Sequence, residues 1–595
     1  MHARQYSRPT DPRRLLGNGG TDSLSYRMPP HGSSAQRSIP RRRFLRAGGA
    51  VAVQAALGDW SGLAIFARPP LDLLIVGGRI VDGTGAPPFA ADIGIRNGRI
   101  VAVETLAGAA ARETLDVTGL VVAPGFIDIH AHTDLGIFVD NLADSKIRQG
   151  VTTEVVGQDG SSVMPVTDEM RARRRESYHE RYEVEVDAGT WQELFAALEA
   201  RRHLTNLVTM VGSGTVREVV VGEGDRPPTA EELTAMVALV EEALTAGAAG
   251  VSSGLEYVPN AFASTDELVA LARPAASAGL PYATHMRNEA DTVEEALDEA
   301  LAVAEGAGTP LQVSHLKAQG QRNWPKAERL LATIERAADD RRVRFDRYPY
   351  TAYSTGLSSL FPAWARDGGT EAFLARLADP SEEPRLRAAV EEKIAMMGEW
   401  DAIQIVDVGA DGPKDAIGRR LGSYAEAKGA DPYEVTVEIL TASENRSGIV
   451  GHGMSEENTR RTLAHPLGAI CSDASARKST GPLSEGSPHP RAYGSYPRVL
   501  GKYVREKSSM SLEEAVRKMS ALPAEILHLA DRGTIAAGKA ADLAVFDPAT
   551  VADTATFEAP HSYPVGIPHV IVGGRLAVRD GVVTGDLTGK VLSPS

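Results

Sequence analysis

The segment Pro124-Gly125-Phe126-Ile127-Asp128-Ile129-His130-Ala131-His132-Thr133-Asp134 carries two imidazoles two residues apart. Side chains at i and i+2 of a strand point to the same side, so His130 and His132 converge as a pair. Alone, a His-x-His pair carries little weight. Three further residues give it weight. His285 ends Tyr282-Ala283-Thr284-His285, His315 ends Leu311-Gln312-Val313-Ser314-His315, and Asp473 ends Ala469-Ile470-Cys471-Ser472-Asp473. Each closes a short apolar run that reads as a strand. Four imidazoles and a carboxylate brought to one rim make a nitrogen and oxygen donor set suited to zinc or a similar divalent ion. Cys471 is the sole cysteine, which excludes thiol-rich zinc or iron–sulfur sites and a disulfide within the chain.

The elements that must position these residues alternate. Strand-like runs end near residues 130, 157, 212, 254, 285, 315, 348 and 473, and helical spacing fills segments such as Thr229 to Ala246, Thr265 to Ala278, Glu289 to Gly306 and Pro325 to Ala338. Strand–helix alternation implies a parallel sheet, and eight such strands predict an α/β fold closed as a (β/α)8 TIM-like barrel. Catalytic groups of that fold gather at the C-terminal ends of the strands, where all five residues fall. β-Branched runs at Leu73 to Asp82 and Asp92 to Ile100 return in texture at Ala541 to Asp547 and His569 to Arg575. The two chain ends are therefore expected to pair into a small composite β-sandwich into which the barrel is inserted. The predicted organisation is 71–123 and 531–595 for the sandwich, 124–530 for the barrel, and a mostly helical insertion at about 362–448, a stretch too long for a plain connection.

The chain of 595 residues is 43% hydrophobic and 24% charged, the balance of a globular protein, and its net charge of −15 argues against nucleic acid as a partner. The first 70 residues are the exception, with eleven arginines against three aspartates. There Arg41-Arg42-Arg43-Phe44-Leu45-Arg46 precedes the small, apolar run Ala47 to Leu57, which resembles a bacterial twin-arginine export signal. The expected location is periplasmic or secreted, with the cytoplasm as the alternative. No run of about 18 apolar residues occurs elsewhere, so no membrane span is expected in the mature chain. Nothing in the sequence specifies an oligomeric state. Gly77-Gly78 and Gly212-Ser213-Gly214 lack the pattern of a phosphate loop, the arginines from Arg171 to Arg175 read as a solvated helix face, and His452 stays unassigned.

From about Leu71 to Gly585 the sequence resembles the amidohydrolase superfamily, and within it the N-acyl-D-amino-acid deacylases (D-aminoacylases). The markers are the His130/His132 strand, Gly150-Val151-Thr152-Thr153, Tyr282 to Arg287, Ser314-His315-Leu316-Lys317, Tyr348-Pro349-Tyr350-Thr351-Ala352, Ser472-Asp473, His489-Pro490-Arg491, and Gly533 to Asp542. The resemblance implies one metal position at His130, His132 and Asp473 and another at His285 and His315, for one or two zinc ions. Relatives bridge the ions with a lysine of the fourth strand or a cysteine after the second. The fourth strand, Gly250 to Gly254, has no lysine. Asp159, in Gly157-Gln158-Asp159-Gly160, stands at the cysteine's position and is assigned the bridge, with Glu154 as the fallback. Ser213 replaces a histidine frequent in the family.

The implied activity is metal-dependent hydrolysis of the linear amide of N-acyl-D-amino acids. An ion so held acidifies its water toward neutrality and polarises the amide carbonyl. Asp473 takes the proton of the attacking water and returns it to the departing amine. The family's substrate-carboxylate ligands map onto Lys317, Arg491, Tyr257, Tyr348 and Ser354, where an arginine fork and a lysine point charge suit an anion. Arg287 either faces the pocket or pairs with Glu289. A cyclic-amide hydrolase of the hydantoinase or dihydroorotase kind is the alternative, and a metal-free, non-catalytic barrel a more distant one.

Overall fold

The computed structural model describes residues 69–595. The arginine cluster Arg41-Arg42-Arg43 and the apolar run after it lie outside the described residues.

Eight parallel strands form the centre: β1 (Phe126–Asp128), β2 (Val151–Val156), β3 (Asn206–Thr209, resuming at Val211–Gly212), β4 (Val251–Gly254), β5 (Tyr282–His285), β6 (Leu311–Val313), β7 (Val343–Arg347) and β8 (Gly468–Ile470). Each pairs with the next in parallel register. The ring closes between the last and the first just beyond their ends. There Ala131 bridges Ala474, the Asp473 N–H donates to the His130 carbonyl at 2.9 Å, and the His132 N–H to the Ala474 carbonyl at 3.1 Å. The seam of the barrel thus joins the His-x-His strand directly to Asp473. Small and branched residues such as Ile127, Val155, Val208, Ala283, Ala469 and Cys471 fill the interior.

Helices α1 (Ala230–Ala246), α2 (Thr265–Ala276), α3 (Val293–Ala307) and α4 (Lys326–Asp340) follow β3 to β6. The start of α1 shows why the chain turns helical there: Thr229 accepts from the Glu232 N–H while the Glu232 side chain accepts from the Thr229 N–H, satisfying two orphan donors. Gly247, at φ +116°, ends it. The apolar faces of α2, α3 and α4 bury Leu268, Leu297, Val303, Leu330 and Ile334 against the strands.

Both chain ends meet in a second, β layer. A seven-stranded sheet runs in the order Val582–Val583, Arg575–Arg579, His569–Val572, Leu543–Phe546, Val121–Pro124, Arg79–Ile80 and Phe89–Ala90. It packs on a four-stranded sheet containing Leu71–Val76 and Asp92–Arg96 through Leu73, Ile93, Ile95, Leu543 and Ile571. The antiparallel pairing of Leu543–Phe546 with Val121–Pro124 ends at Pro124, two residues before β1, so the C-terminal strand braces the start of the His-x-His strand.

Between β7 and β8 the chain leaves the barrel. It forms helices Gly369–Leu377, Glu383–Met397, Leu421–Lys428 and Pro432–Ala442 and a three-stranded antiparallel sheet of Ala352–Gly356, Ser447–His452 and Ile403–Val408. That sheet is absent from the expectation drawn from sequence, and it carries Ser354 to the mouth of the barrel. No helix among the described residues is long and apolar enough to cross a membrane.

Candidate metal and substrate site

At the C-terminal rim of the barrel the expected residues converge. His130 Nε2 lies 3.3 Å from Asp159 Oδ1 and 3.7 Å from Asp473 Oδ1. His132 Nε2 lies 3.1 Å from Asp473 Oδ1 and 3.6 Å from Asp159 Oδ2. From the other side, His315 Nε2 and His285 Nδ1 approach Asp159 Oδ2 to 3.5 and 3.8 Å, and the two rings face each other at 3.1 Å between those nitrogens. One donor atom each from His130, Asp159, His315 and Asp473 falls within 4.8 Å of every other. Asp159 stands between the two histidine pairs, where the bridge is expected. Glu154, the fallback, is excluded: it accepts from Thr133 and from Thr205 Oγ1 on the far side of β2 and is fully buried there.

Three of these six residues adopt the left-handed backbone region, Asp159 at φ +53°, His315 at +35° and Asp473 at +50°. Such conformations cost of order 1–3 kcal/mol each and persist where surrounding contacts over-determine them. For Asp473 the contacts are visible. Lys146, wholly buried on the short helix Asp144–Ile147, donates to Asp128 Oδ2 at 2.7 Å, to Ser472 Oγ at 2.6 Å and to the Ala474 carbonyl at 2.7 Å, holding the residues on either side of Asp473. Asp128 also accepts from the Ser472 N–H at 2.9 Å. For Asp159 the turn is held close to β4: a Cβ on Gly254 would lie 2.0 Å from the Asp159 carbonyl oxygen.

The donor chemistry fits a cation. Buried polar atoms are nearly always hydrogen-bonded, yet both ring nitrogens of His130, Asp159 Oδ1 and His285 Nε2 are buried without a hydrogen-bond partner. The electrostatics agree. Burial opposes charge on Asp473, but Arg491 and His315 hold its carboxyl well below the usual range. Burial likewise opposes charge on His130, yet Asp159 and Asp346 push its pKa well above the ordinary imidazole value. Negative and positive groups thus stabilise one another where an ion would replace the protons.

A cavity of about 400 Å3 opens over the donors, lined also by Tyr257, Lys317, Ser354 and Arg491. Arg491 Nη1 donates to Asp473 Oδ2 at 2.7 Å and Nη2 to the Ser354 carbonyl at 3.4 Å, while its Nε is buried without a partner. Lys317 Nζ sits 2.5 Å from Glu289 Oε1 and 2.7 Å from His315 Nδ1. Ser354 Oγ donates to the Ile449 carbonyl at 3.0 Å. Tyr348 is a departure: it is fully buried behind the wall, its ring 4.7 Å from the Arg491 guanidinium carbon, so it packs under the cation instead of facing the cavity. Arg287 turns away as well, donating to Glu299 at 2.7 and 2.9 Å and to the carbonyls of Ala261 and Ala263. Ser213 donates to Asn260 and takes no part in the wall.

Four residues of the site were missed from sequence. Asp346, near the end of β7, lies 3.6 Å from His130 Nδ1, and the strand-end rule that found Asp473 applies equally to it. Glu289 and Glu256 stand beside His285, and Lys393 reaches the cavity from the inserted helix Glu383–Met397. Neither the loops after β4 and β5 nor a charged position on an amphipathic helix carries a signal that would mark them.

A model of the amidohydrolase family matches residues 113–392 and 481–578. The sequence is 36% identical over 529 residues to D-aminoacylase of Alcaligenes xylosoxydans xylosoxydans, across 88% of this chain and 98% of that protein. The fold superposes on N-acyl-D-glutamate deacylase of Bordetella bronchiseptica, solved with zinc and a phosphonate mimic of the tetrahedral intermediate, with a TM-score of 0.74 and 36% identity over 88% of this chain and all of that one. It also superposes on a D-aminoacylase described as having a binuclear metal centre, at a TM-score of 0.73 and 35% identity, with coverage of 88% and 100%.

Proposed function

This chain belongs to the amidohydrolase family, and from that premise we propose that it hydrolyses the linear amide of N-acyl-D-amino acids with zinc held by His130, His132, Asp159, His285, His315 and Asp473. The observation that carries the reading is the convergence of two carboxylates and four imidazoles beneath a cavity whose wall holds Arg491 and Lys317. The relatives that act on N-acyl-D-amino acids supply the stereochemistry.

Zinc at these ligands supplies a Lewis acid for the amide carbonyl and a water that ionises near neutral pH. Asp473, which Arg491 and His132 hold ionised, accepts the proton of the attacking water and delivers it to the amide nitrogen as the carbon–nitrogen bond breaks. Arg491 and Lys317, both lining the cavity, are the positive groups that meet the substrate carboxylate. Tyr257 and Ser354 border the same space. Residues 1–70 direct the protein across the cytoplasmic membrane by the twin-arginine route; a Lys-Lys replacement of Arg42 and Arg43 is expected to hold it in the cytosol.

The test is a panel of N-acyl D- and L-amino acids, hydantoins and dihydroorotate assayed with added zinc. Turnover of the acyclic D-substrates, abolished by chelation, is the expected result. A preference for the cyclic amides or for the L-series would overturn this reading.

A further inference from the structure

The outer nitrogen of His315 meets a buried carboxylate, Glu289, which also stands near His285. Glu289 Oε1 lies 3.0 Å from His315 Nδ1, and Oε2 lies 3.8 Å from His285 Nε2. The inner nitrogens, His315 Nε2 and His285 Nδ1, are the ones turned to Asp159. Oε1 also takes the Lys317 ammonium, and Oε2 accepts from Gln319 Nε2 at 2.9 Å. Glu289 is only 1% exposed, at the edge of the cavity that Glu256 and Lys393 also line.

His285, Glu289 and His315 have the donor types of a further cation site. Lys317 Nζ already stands there, 2.7 Å from His315 Nδ1, so the cation of that cluster is an ammonium and not a metal. This placement creates a choice. If Lys317 donates to His315 Nδ1, the neutral ring carries its proton on Nε2, the atom aimed at Asp159, and cannot coordinate through it. If His315 Nδ1–H donates to Glu289, Nε2 is free as a ligand and Lys317 is held by the carboxylate alone, able to turn its remaining protons to the cavity. His285 Nε2 stands 3.7 Å from Glu256 Oε2 and 3.8 Å from Glu289 Oε2, beyond hydrogen-bond reach of either, so the choice falls on His315 alone. The outer partner of a ligating imidazole fixes its tautomer, and loss of that partner costs about 10- to 100-fold in metal affinity.

We propose that Glu289 is the positioning residue that sets His315 in the ligating tautomer and, through the same oxygen, orients Lys317 toward the substrate carboxylate. The inference rests on the metal and carboxylate roles proposed above. It couples them: filling of the second metal position and readiness of the carboxylate-binding lysine depend on one group.

The experiment is a zinc titration of the purified full-length chain against a chromophoric chelator, with His285→Asn used to assign the step that belongs to the His285–His315 position. Glu289→Gln is expected to weaken that step about 10- to 100-fold, to leave the His130–His132–Asp473 step within twofold, and to raise KM more than it lowers kcat. Glu289→Gln leaves Lys317 buried without its counter-charge, so Glu289→Gln/Lys317→Met is titrated in parallel. Glu289→Asp, which keeps the charge on a shorter arm, is expected to give a smaller loss at the same step. Wild-type affinity at the His285-assigned step in any folded variant, or equal weakening of both steps, would overturn the proposal. A wild-type protein that shows both steps but leaves N-acyl amino acids intact would instead defeat the functional reading and leave this one standing.

Discussion

At the scale of single residues, holding the ion and moving the proton are separable at Asp473. Asp473→Asn keeps an oxygen donor and removes the base, so kcat is expected to fall by about 10²- to 10⁴-fold while zinc content stays at the wild-type level; steady-state kinetics with metal analysis checks it. Protonation gives a second prediction. In the ion-free protein burial works against charge on His285, but Glu289, Asp159 and Glu256 outweigh it and push its pKa up to about 10. A raised imidazole pKa stabilises the fold fully below its unfolded value of about 6.5, and that contribution is lost as the pH rises toward 10. Zinc needs the neutral ring. Zinc affinity is therefore expected to climb across the same window, with protons released on uptake and measurable in a weakly buffered titration. No proton release near pH 8 would contradict the arrangement. The metal ligands were legible because histidine and aspartate at strand ends break an apolar pattern. Glu289 and Glu256 were not, because their meaning comes from two loops, after β5 and β4, whose paths only the folded chain defines.

Elements decide whether those residues meet. The approach of the Gly157 to Gly160 turn to β4 needs a glycine at 254, since any side chain there would overlap the Asp159 carbonyl. Gly254→Ala is expected to push the Asp159 turn outward and lower zinc stoichiometry without unfolding the barrel, a result that circular dichroism and metal analysis together would show. Lys146 plays the opposite part, a buried charge that ties β1 to both neighbours of Asp473. Lys146→Met leaves Asp128 buried and unpaired, which costs about 3–5 kcal/mol; denaturant unfolding measures it. The barrel strands and the paired sheets of the two chain ends could be read from sequence, because β-branched runs alternating with helical spacing are strong local signals. The inserted sheet could not. Ala352–Gly356 is made of Ala, Tyr, Ser, Thr and Gly, and its partner Ser447–His452 lies far along the chain. Tyr348 departs from its expected place for a related reason: a tyrosine between an arginine and a proline has the same sequence signature whether it faces a cavity or supports its wall.

Over the whole molecule, the two ends of the chain are part of the site's support. Leu543–Phe546 pairs along Val121–Pro124, and Asp542 accepts from Asn206 of β3, from Arg532 and from the Gly573 N–H. Truncation at residue 540 removes the strand that braces β1, so the shortened chain is expected to be insoluble or to melt well below the intact protein; a soluble product that still binds zinc would contradict this. The −15 charge of the chain is compatible with a positive catalytic wall because Arg491 and Lys317 are buried beside carboxylates and do not depend on the surface field. The most direct test of the whole account is anomalous diffraction at the zinc edge from crystals of the loaded protein. Zinc is expected within bonding distance of His130, His132 and Asp473, of His285 and His315, and of Asp159 between them. Zinc bound elsewhere, with these six side chains left to pair among themselves, would contradict it.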